Sequence, residues 1–259
     1  MSDLKVYVLN NGINIDSIKN DLISTDDPEE RFNFPSWTAL IRHPGGNILF
    51  DAASHVDPAR QIKLILDNLH VREEDEPANR LKQIGLAAGD IDTLVLSHMH
   101  PDHFGYIDAF PNAKIIVHAD EFTYMMRDYA LKKFPFTKDF DHFLKQDLKW
   151  ELYPADLRLQ ELVPGVTIVN FGKGHSYGML GLLLELKCGN KLLVSDVIYS
   201  SENVGPPLRR PGICKDMENW EKTLAFTLTF ARLTGSEIWY GHDMAQFDAM
   251  VKSPDGYYK

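Results

Sequence analysis

A chain of 259 residues, 44% of them hydrophobic, can bury a sizeable core, which excludes intrinsic disorder. Its net charge of −10, with no basic grouping longer than pairs such as Lys132-Lys133 and Arg209-Arg210, argues against a nucleic-acid partner. Two cysteines, Cys188 and Cys214, make no disulfide framework, no run approaches a membrane span, and the first residues lack the features of a secretory signal, so the expected setting is the cytoplasm, without membrane contact.

Lys5–Leu9 reads as a strand closed by the turn Asn10-Asn11-Gly12. Trp37–Arg42 and Asn47–Phe50 form a hairpin around His43-Pro44-Gly45-Gly46. Ala59–Leu69, with Ile62, Leu64, Ile65 and Leu69 near helical spacing, and Asn79–Ile84 read as helices. A short buried strand, Thr93–Leu96, runs straight into Ser97-His98. Lys114–Val117 is a further strand and Ala119–Tyr129 a helix. Residues 130–160, rich in Phe, Lys, Asp and Trp, lack strand alternation and read as helical turns, the bulk of an inserted cap over about 123–160 in one domain spanning 1–259. Thr167–Phe171, Leu180–Leu186 and Lys191–Val194 are strands, Glu221–Leu233 a helix and Glu237–Tyr240 a last strand. Hairpins followed by alternating strands and helices point to a layered α/β domain.

The chemistry concentrates in Ser97-His98-Met99-His100-Pro101-Asp102-His103-Phe104-Gly105. Three imidazoles and a carboxylate in six positions after a buried strand suit zinc and similar first-row metals, and would be costly to desolvate without a ligand. Further candidates stand just past other strands: His175 in Gly174-His175, Asp196, and His242 in Gly241-His242. Singly, each has a plainer reading as a turn or cap residue. Their repeated placement at strand ends, where loops carry function, points to a shared metal centre.

The order His-x-His-x-Asp-His, then Gly-His, then Asp, then Gly-His resembles the metallo-β-lactamase superfamily over nearly the whole chain. That resemblance implies a four-layered αββα sandwich. It also implies two divalent metal ions, with His98, His100 and His175 on one, Asp102, His103 and His242 on the other, and Asp196 bridging them. Asp51, ending Asn47-Ile48-Leu49-Phe50-Asp51, would brace the motif loop. His100 in the second position favours zinc, with iron, manganese or cobalt as alternatives. Asp196-Val197-Ile198-Tyr199 and Gly241-His242-Asp243-Met244-Ala245-Gln246-Phe247 are similar to the N-acyl homoserine lactonases, which implies a small lactone or ester substrate contacted by Tyr199. The chain departs from that pattern at Lys173, at Ser176-Tyr177-Gly178-Met179 and at Phe104. The expected reaction is attack on the lactone carbonyl by hydroxide shared between the metals, with Tyr199 stabilising the oxyanion and Asp102 carrying a proton to the leaving oxygen. Thioesters, as in glyoxalase II, and phosphodiesters are alternative substrates on the same metals, and a homodimer follows by analogy alone. Tyr124, Met125, Met126, Phe134, Phe136, Phe140, Phe143 and Trp150 either line an apolar pocket or pack the cap, and His118 reads as a supporting residue.

Overall fold

Strand β1 (Lys5–Ile18) carries apolar residues on both faces, with Val6 and Val8 in one core and Tyr7 and Leu9 in another. A strand covered on both sides reads as a continuous apolar run rather than an alternation. The computed structural model of the chain, which describes residues 4–55, 57, 69–133 and 137–259, continues this strand through Asn10-Asn11-Gly12. The expected turn is a bulge instead, marked by a register shift against β2 (Arg31–His43). Tertiary contacts override the local turn chemistry: Asn11 Nδ2 donates to the carbonyl of Asp75 at 2.7 Å, and Asn11 Oδ1 accepts from Thr38 Oγ1 at 2.9 Å. Gly12 stands at φ 119°, where a Cβ would lie 2.8 Å from the carbonyl oxygen of His70 in β4 (Leu69–His70), so only glycine fits. The remainder of the expected helix Ala59–Leu69 lies outside the described residues.

The hairpin of β2 with β3 (Gly46–Phe50) is as expected. Helix α1 (Pro77–Lys82) follows, then β5 (Thr93–Val95), the single turn α2 (Pro101–Phe104), β6 (Lys114–His118) and α3 (Ala119–Ala130). Helix α4 (Thr137–Phe143) leads to β7 (Lys149–Tyr153). These strands make a seven-stranded sheet, ordered β4-β1-β2-β3-β5-β6-β7, antiparallel among β4, β1, β2 and β3 and parallel from β3 to β7. A second sheet holds β8 (Leu159–Val163), β9 (Val166–Gly172), β10 (Met179–Leu184), β11 (Lys191–Ser195) and β12 (Glu237–Tyr240) in the order β12-β11-β10-β9-β8. Helix α5 (Met217–Thr234) separates β11 from β12, and α6 (Met244–Ala249) follows β12.

Residues 149–153, expected as helical turns of a cap, are therefore a strand, and the expected end of the cap at 160 falls inside the strand 159–163. Both β7 and β8 close the edge of a sheet, and most of their side chains stay exposed or half-buried, so no alternation marks them. The three main apolar clusters define four layers. Val6, Ile41, Phe50, Val95 and Ile116 of the first sheet meet Ile168, Leu182, Leu193 and Trp239 of the second. Leu81, Met125, Phe140 and Phe143 cover the outer face of the first sheet, and Trp220, Leu224 and Ala231 that of the second. The result is the expected αββα sandwich, with helices on both outer faces.

Candidate metal centre

Every candidate ligand stands just past a strand, at one end of the sandwich. β5 delivers His98 and, through α2, His100, Asp102 and His103. β9 leads to His175, β11 to Asp196 and β12 to His242. Asp51 and Ser195, at the ends of β3 and β11, hold positive φ values of 62° and 49°. Such backbone is uncommon for side-chain-bearing residues and persists where surrounding contacts determine it.

All seven residues converge into two groups that could each hold a metal ion. One comprises His98, His100, His175 and Asp196, the other Asp102, His103, His242 and Asp196, with the ligand atoms of each within 4.8 Å of one another. Asp196 divides its carboxylate between them. Its Oδ2 lies 3.7 Å from His98 Nε2 and 3.4 Å from His175 Nε2, while its Oδ1 lies 3.2 Å from His103 Nε2 and 3.0 Å from His242 Nε2. Asp102 Oδ2 completes the second group at 3.4 Å from His103 Nε2 and 3.7 Å from His242 Nε2.

The hydrogen bonds behind the rings decide which nitrogen faces inward. His175 Nδ1 donates to the carbonyl of Ile213 at 3.1 Å and His242 Nδ1 to that of Pro35 at 2.8 Å. His103 Nδ1 donates to Asp51 Oδ2 at 2.8 Å. Ser97 Oγ gives its proton to Asp51 Oδ2 at 2.9 Å and so accepts from His98 Nδ1 at 3.0 Å. With each ring neutral, as a metal ligand must be, all four Nε2 lone pairs therefore point into the centre. His98 and His175 bring two such lone pairs within 3.1 Å, and His103 and His242 aim theirs at a carboxylate oxygen. Buried His103 Nε2 and Asp196 Oδ1 have no hydrogen-bond partner. Lone pair against lone pair is repulsive unless a cation lies between, so the donor set fits divalent metal ions.

Electrostatics divide the groups. Burial, with neighbouring imidazoles, holds His98 well below its ordinary pKa and brings His100 to about 3. Burial also lowers His175. Burial opposes the charged form of His103 too, yet Asp196, Asp102 and Asp51 raise it well above the usual value, and Asp196 and Asp102 raise His242 against the same penalty. Against a burial penalty of its own, Asp102 is held at about 2, chiefly by His103, and Asp196 is pulled well below the carboxylate range by His103 and His242. His100 and Asp102 are the half-buried members of an otherwise buried set, so the centre opens on their side.

Tyr199 is 2% exposed and spans the two groups, its hydroxyl 3.1 Å from His175 Nδ1 and its ring 5.6 Å from that of His242. Burial, with Asp196 and Asp102 nearby, pushes the phenol well above its ordinary pKa, so it stays a neutral donor. Of the expected pocket residues, Met125, Phe140 and Phe143 pack into the core beside Phe104, Tyr124 is exposed, and Phe134 and Phe136 lie outside the described residues. Phe104 is wholly buried, and Lys173 is held by Asp216 at 2.8 Å. Asp51 braces the motif loop as expected, also accepting from Ser97 N at 2.7 Å.

Two groups escaped the sequence reading. Ser195 Oγ donates to Ser97 Oγ at 2.9 Å, tying two ligand-bearing strand ends together. Glu121, wholly buried in the first turn of α3, reaches the loops carrying His98, His100 and His175. The available signal was spacing: Glu121, Met125 and Asp128 form the buried stripe of α3, with an acid where an apolar residue belongs.

The metallo-beta-lactamase superfamily profile matches residues 31–242. An N-acyl homoserine lactonase AiiB from Agrobacterium fabrum is 36% identical over 239 residues, covering 88% of this chain and 86% of that protein. The crystal structure of a Bacillus thuringiensis AiiA mutant, with N-decanoyl-L-homoserine bound at its active site, superposes with a TM-score of 0.83 at 25% identity over 100% of both chains. An N-acyl homoserine lactone hydrolase with N-hexanoyl-L-homoserine bound at its catalytic metal centre gives 0.82, also at 25% identity and full coverage of both chains.

Proposed function

The chain belongs to the metallo-β-lactamase superfamily, and we propose that it is a dinuclear metal hydrolase that opens lactone rings, with N-acyl homoserine lactones as substrates. The observation that carries this reading is the division of Asp196, one oxygen toward each cluster of inward-facing ring nitrogens. The lactonase names of the relatives, and the acyl-homoserine products in two neighbouring structures, support the substrate.

In this reading His98, His100 and His175 would hold one ion, Asp102, His103 and His242 the second, and Asp196 both. The donor set suits zinc. Two such ions supply Lewis acidity and a water acidified to a pKa of about 7. The protein does the rest. Asp196 would offer one carboxylate oxygen to each ion. Tyr199, neutral and with its hydroxyl oxygen sharing the His175 Nδ1 proton, turns its own proton to the oxyanion that forms as the carbonyl is attacked. One positioned donor of that kind is worth about 2.7–4 kcal/mol. Asp102, ionised and on the open side of the centre, accepts the proton released by the attacking water and passes it to the departing ring oxygen, leaving a hydroxy acid. Two free thiols, Cys188 and Cys214, support a cytoplasmic setting.

The test is a hydrolysis panel on zinc-loaded protein: acyl-homoserine lactones of several chain lengths, simple γ- and δ-lactones, a thioester and a phosphodiester. Efficient opening of the acyl-homoserine lactones is the expected result. Turnover confined to the thioester or the phosphodiester would retire the lactonase reading and leave the metal centre standing.

A further inference from the structure

Glu121 has no part in the chemistry above, yet it is wholly buried and receives four donors. Its Oε1 accepts from Met99 N at 2.9 Å and Ser176 Oγ at 2.8 Å. Its Oε2 accepts from Ser176 Oγ at 2.7 Å, Tyr177 N at 2.9 Å and Gly178 N at 3.1 Å. Met99 stands between His98 and His100, and Ser176, Tyr177 and Gly178 follow His175 directly. One carboxylate thus joins the two loops that bring His98 Nε2 and His175 Nε2 within 3.1 Å. Among the described residues it bonds no neighbour of His242 or Asp196, and its contact with the loop of Asp102 and His103 falls at Met99, between the two first-cluster ligands.

The neighbourhood reinforces the clamp. His118 caps α3, its Nδ1 accepting from Asp120 N at 3.1 Å, and its ring lies against Gly178, where a Cβ would stand 2.1 Å from Nδ1. The absent side chain lets the His175 loop approach the first turn of α3 closely enough for Glu121 to bind it. Only an acceptor-only group fits between donors on both sides, since an amide would set its NH2 against backbone N–H groups on one of them.

We propose that Glu121 is a positioning residue for the His98/His100/His175 half-site, setting the metal affinity of that half-site and not of the other. The proposal rests on the two-metal reading, and the test separates them. Zinc affinity is measured by competition with a chromophoric chelator, in a His242→Ala background that leaves the first cluster whole and in a His175→Ala background that leaves the second. Glu121→Gln should weaken zinc by about 10- to 100-fold in the first background, the range for groups that orient metal ligands, and leave the second unchanged. A merely structural role would weaken both. Ser176→Ala, which removes one donor and keeps the three backbone donors, should give a smaller loss with the same selectivity, and decides the matter if Glu121→Gln fails to fold. Equal affinities with and without the substitution, or equal losses in both backgrounds, would overturn the proposal alone. An unaltered chain binding fewer than two ions would overturn the two-metal reading and this proposal together.

Discussion

His98 and His175 rest on neutral groups, the Ser97 hydroxyl and the Ile213 carbonyl, whereas His103 rests on the Asp51 carboxylate and shares its cluster with Asp102. The first cluster sets three imidazoles against one shared carboxylate oxygen, and the second sets two imidazoles against two carboxylates with a third behind. Burial lowers the imidazole pKa values in both; in the first cluster it prevails, and in the second the carboxylates outweigh it, so the values fall in the first and rise in the second. Two sites of similar ligand chemistry therefore differ in their demand for positive charge. The second is organised by electrostatics, the first by geometry, through Glu121.

The contrast is broken most severely at the group both sides share. Asp196→Asn should remove the anionic bridge, strip metal from both clusters and lower kcat/KM by about a thousandfold or more, at 1.36 kcal/mol per tenfold. Elemental analysis beside the kinetics checks it, and full activity with two ions bound would remove the bridging role. Tyr199→Phe sits across both clusters without belonging to either. It should keep both ions and lower kcat by about a hundredfold, the scale for one lost oxyanion donor. Unchanged turnover would make Tyr199 a packing residue. Asp51→Asn should act opposite to Glu121→Gln, weakening zinc by about 10- to 100-fold in the second cluster, where Asp51 holds His103 directly, and less in the first, which it reaches only through Ser97 and His98. The His175→Ala background reads this directly, and a loss confined to the first cluster would invert the comparison.

The smallest effect lies away from both. Burial alone would raise the pKa of Asp75, but hydrogen bonds from Arg72 and the charges of Arg80 and Arg72 hold it below the usual value. A depressed carboxyl contributes stability above its unfolded value of about 3.9, which is lost as pH falls through the folded value. Replacing Asp75 with Asn should flatten that acid limb of the Tm-against-pH curve and leave zinc affinity in both half-sites unchanged. Altered metal binding would mean that the β1 bulge, which Asp75 supports through Asn11, communicates with the centre.

The seven candidate ligands were legible because each follows an apolar strand within a few residues, and a buried strand end aims its loop in a way that local pattern reveals. The layered fold was legible for the same reason wherever strands are buried. It was not legible at β7 and β8, whose edge positions leave no alternation, nor at Asn10-Asn11-Gly12, where turn residues are recruited into a bulge by Asp75 and Thr38. Glu121 was hidden because its partners lie 22 to 57 residues away.

From the amino-acid order alone came the donor chemistry, its attachment to strand ends and a layered α/β domain, with the αββα arrangement implied by the family resemblance. Tertiary structure alone decided which oxygen of Asp196 serves which cluster, which nitrogen of each ring turns inward, and which carboxylates stand behind. Those choices are made by contacts such as Ser97 with Asp51, 46 residues apart, and His242 with Pro35, 207 apart. Local propensity acts over a handful of residues, and a proton's position on an imidazole depends on an acceptor that only the folded chain brings near.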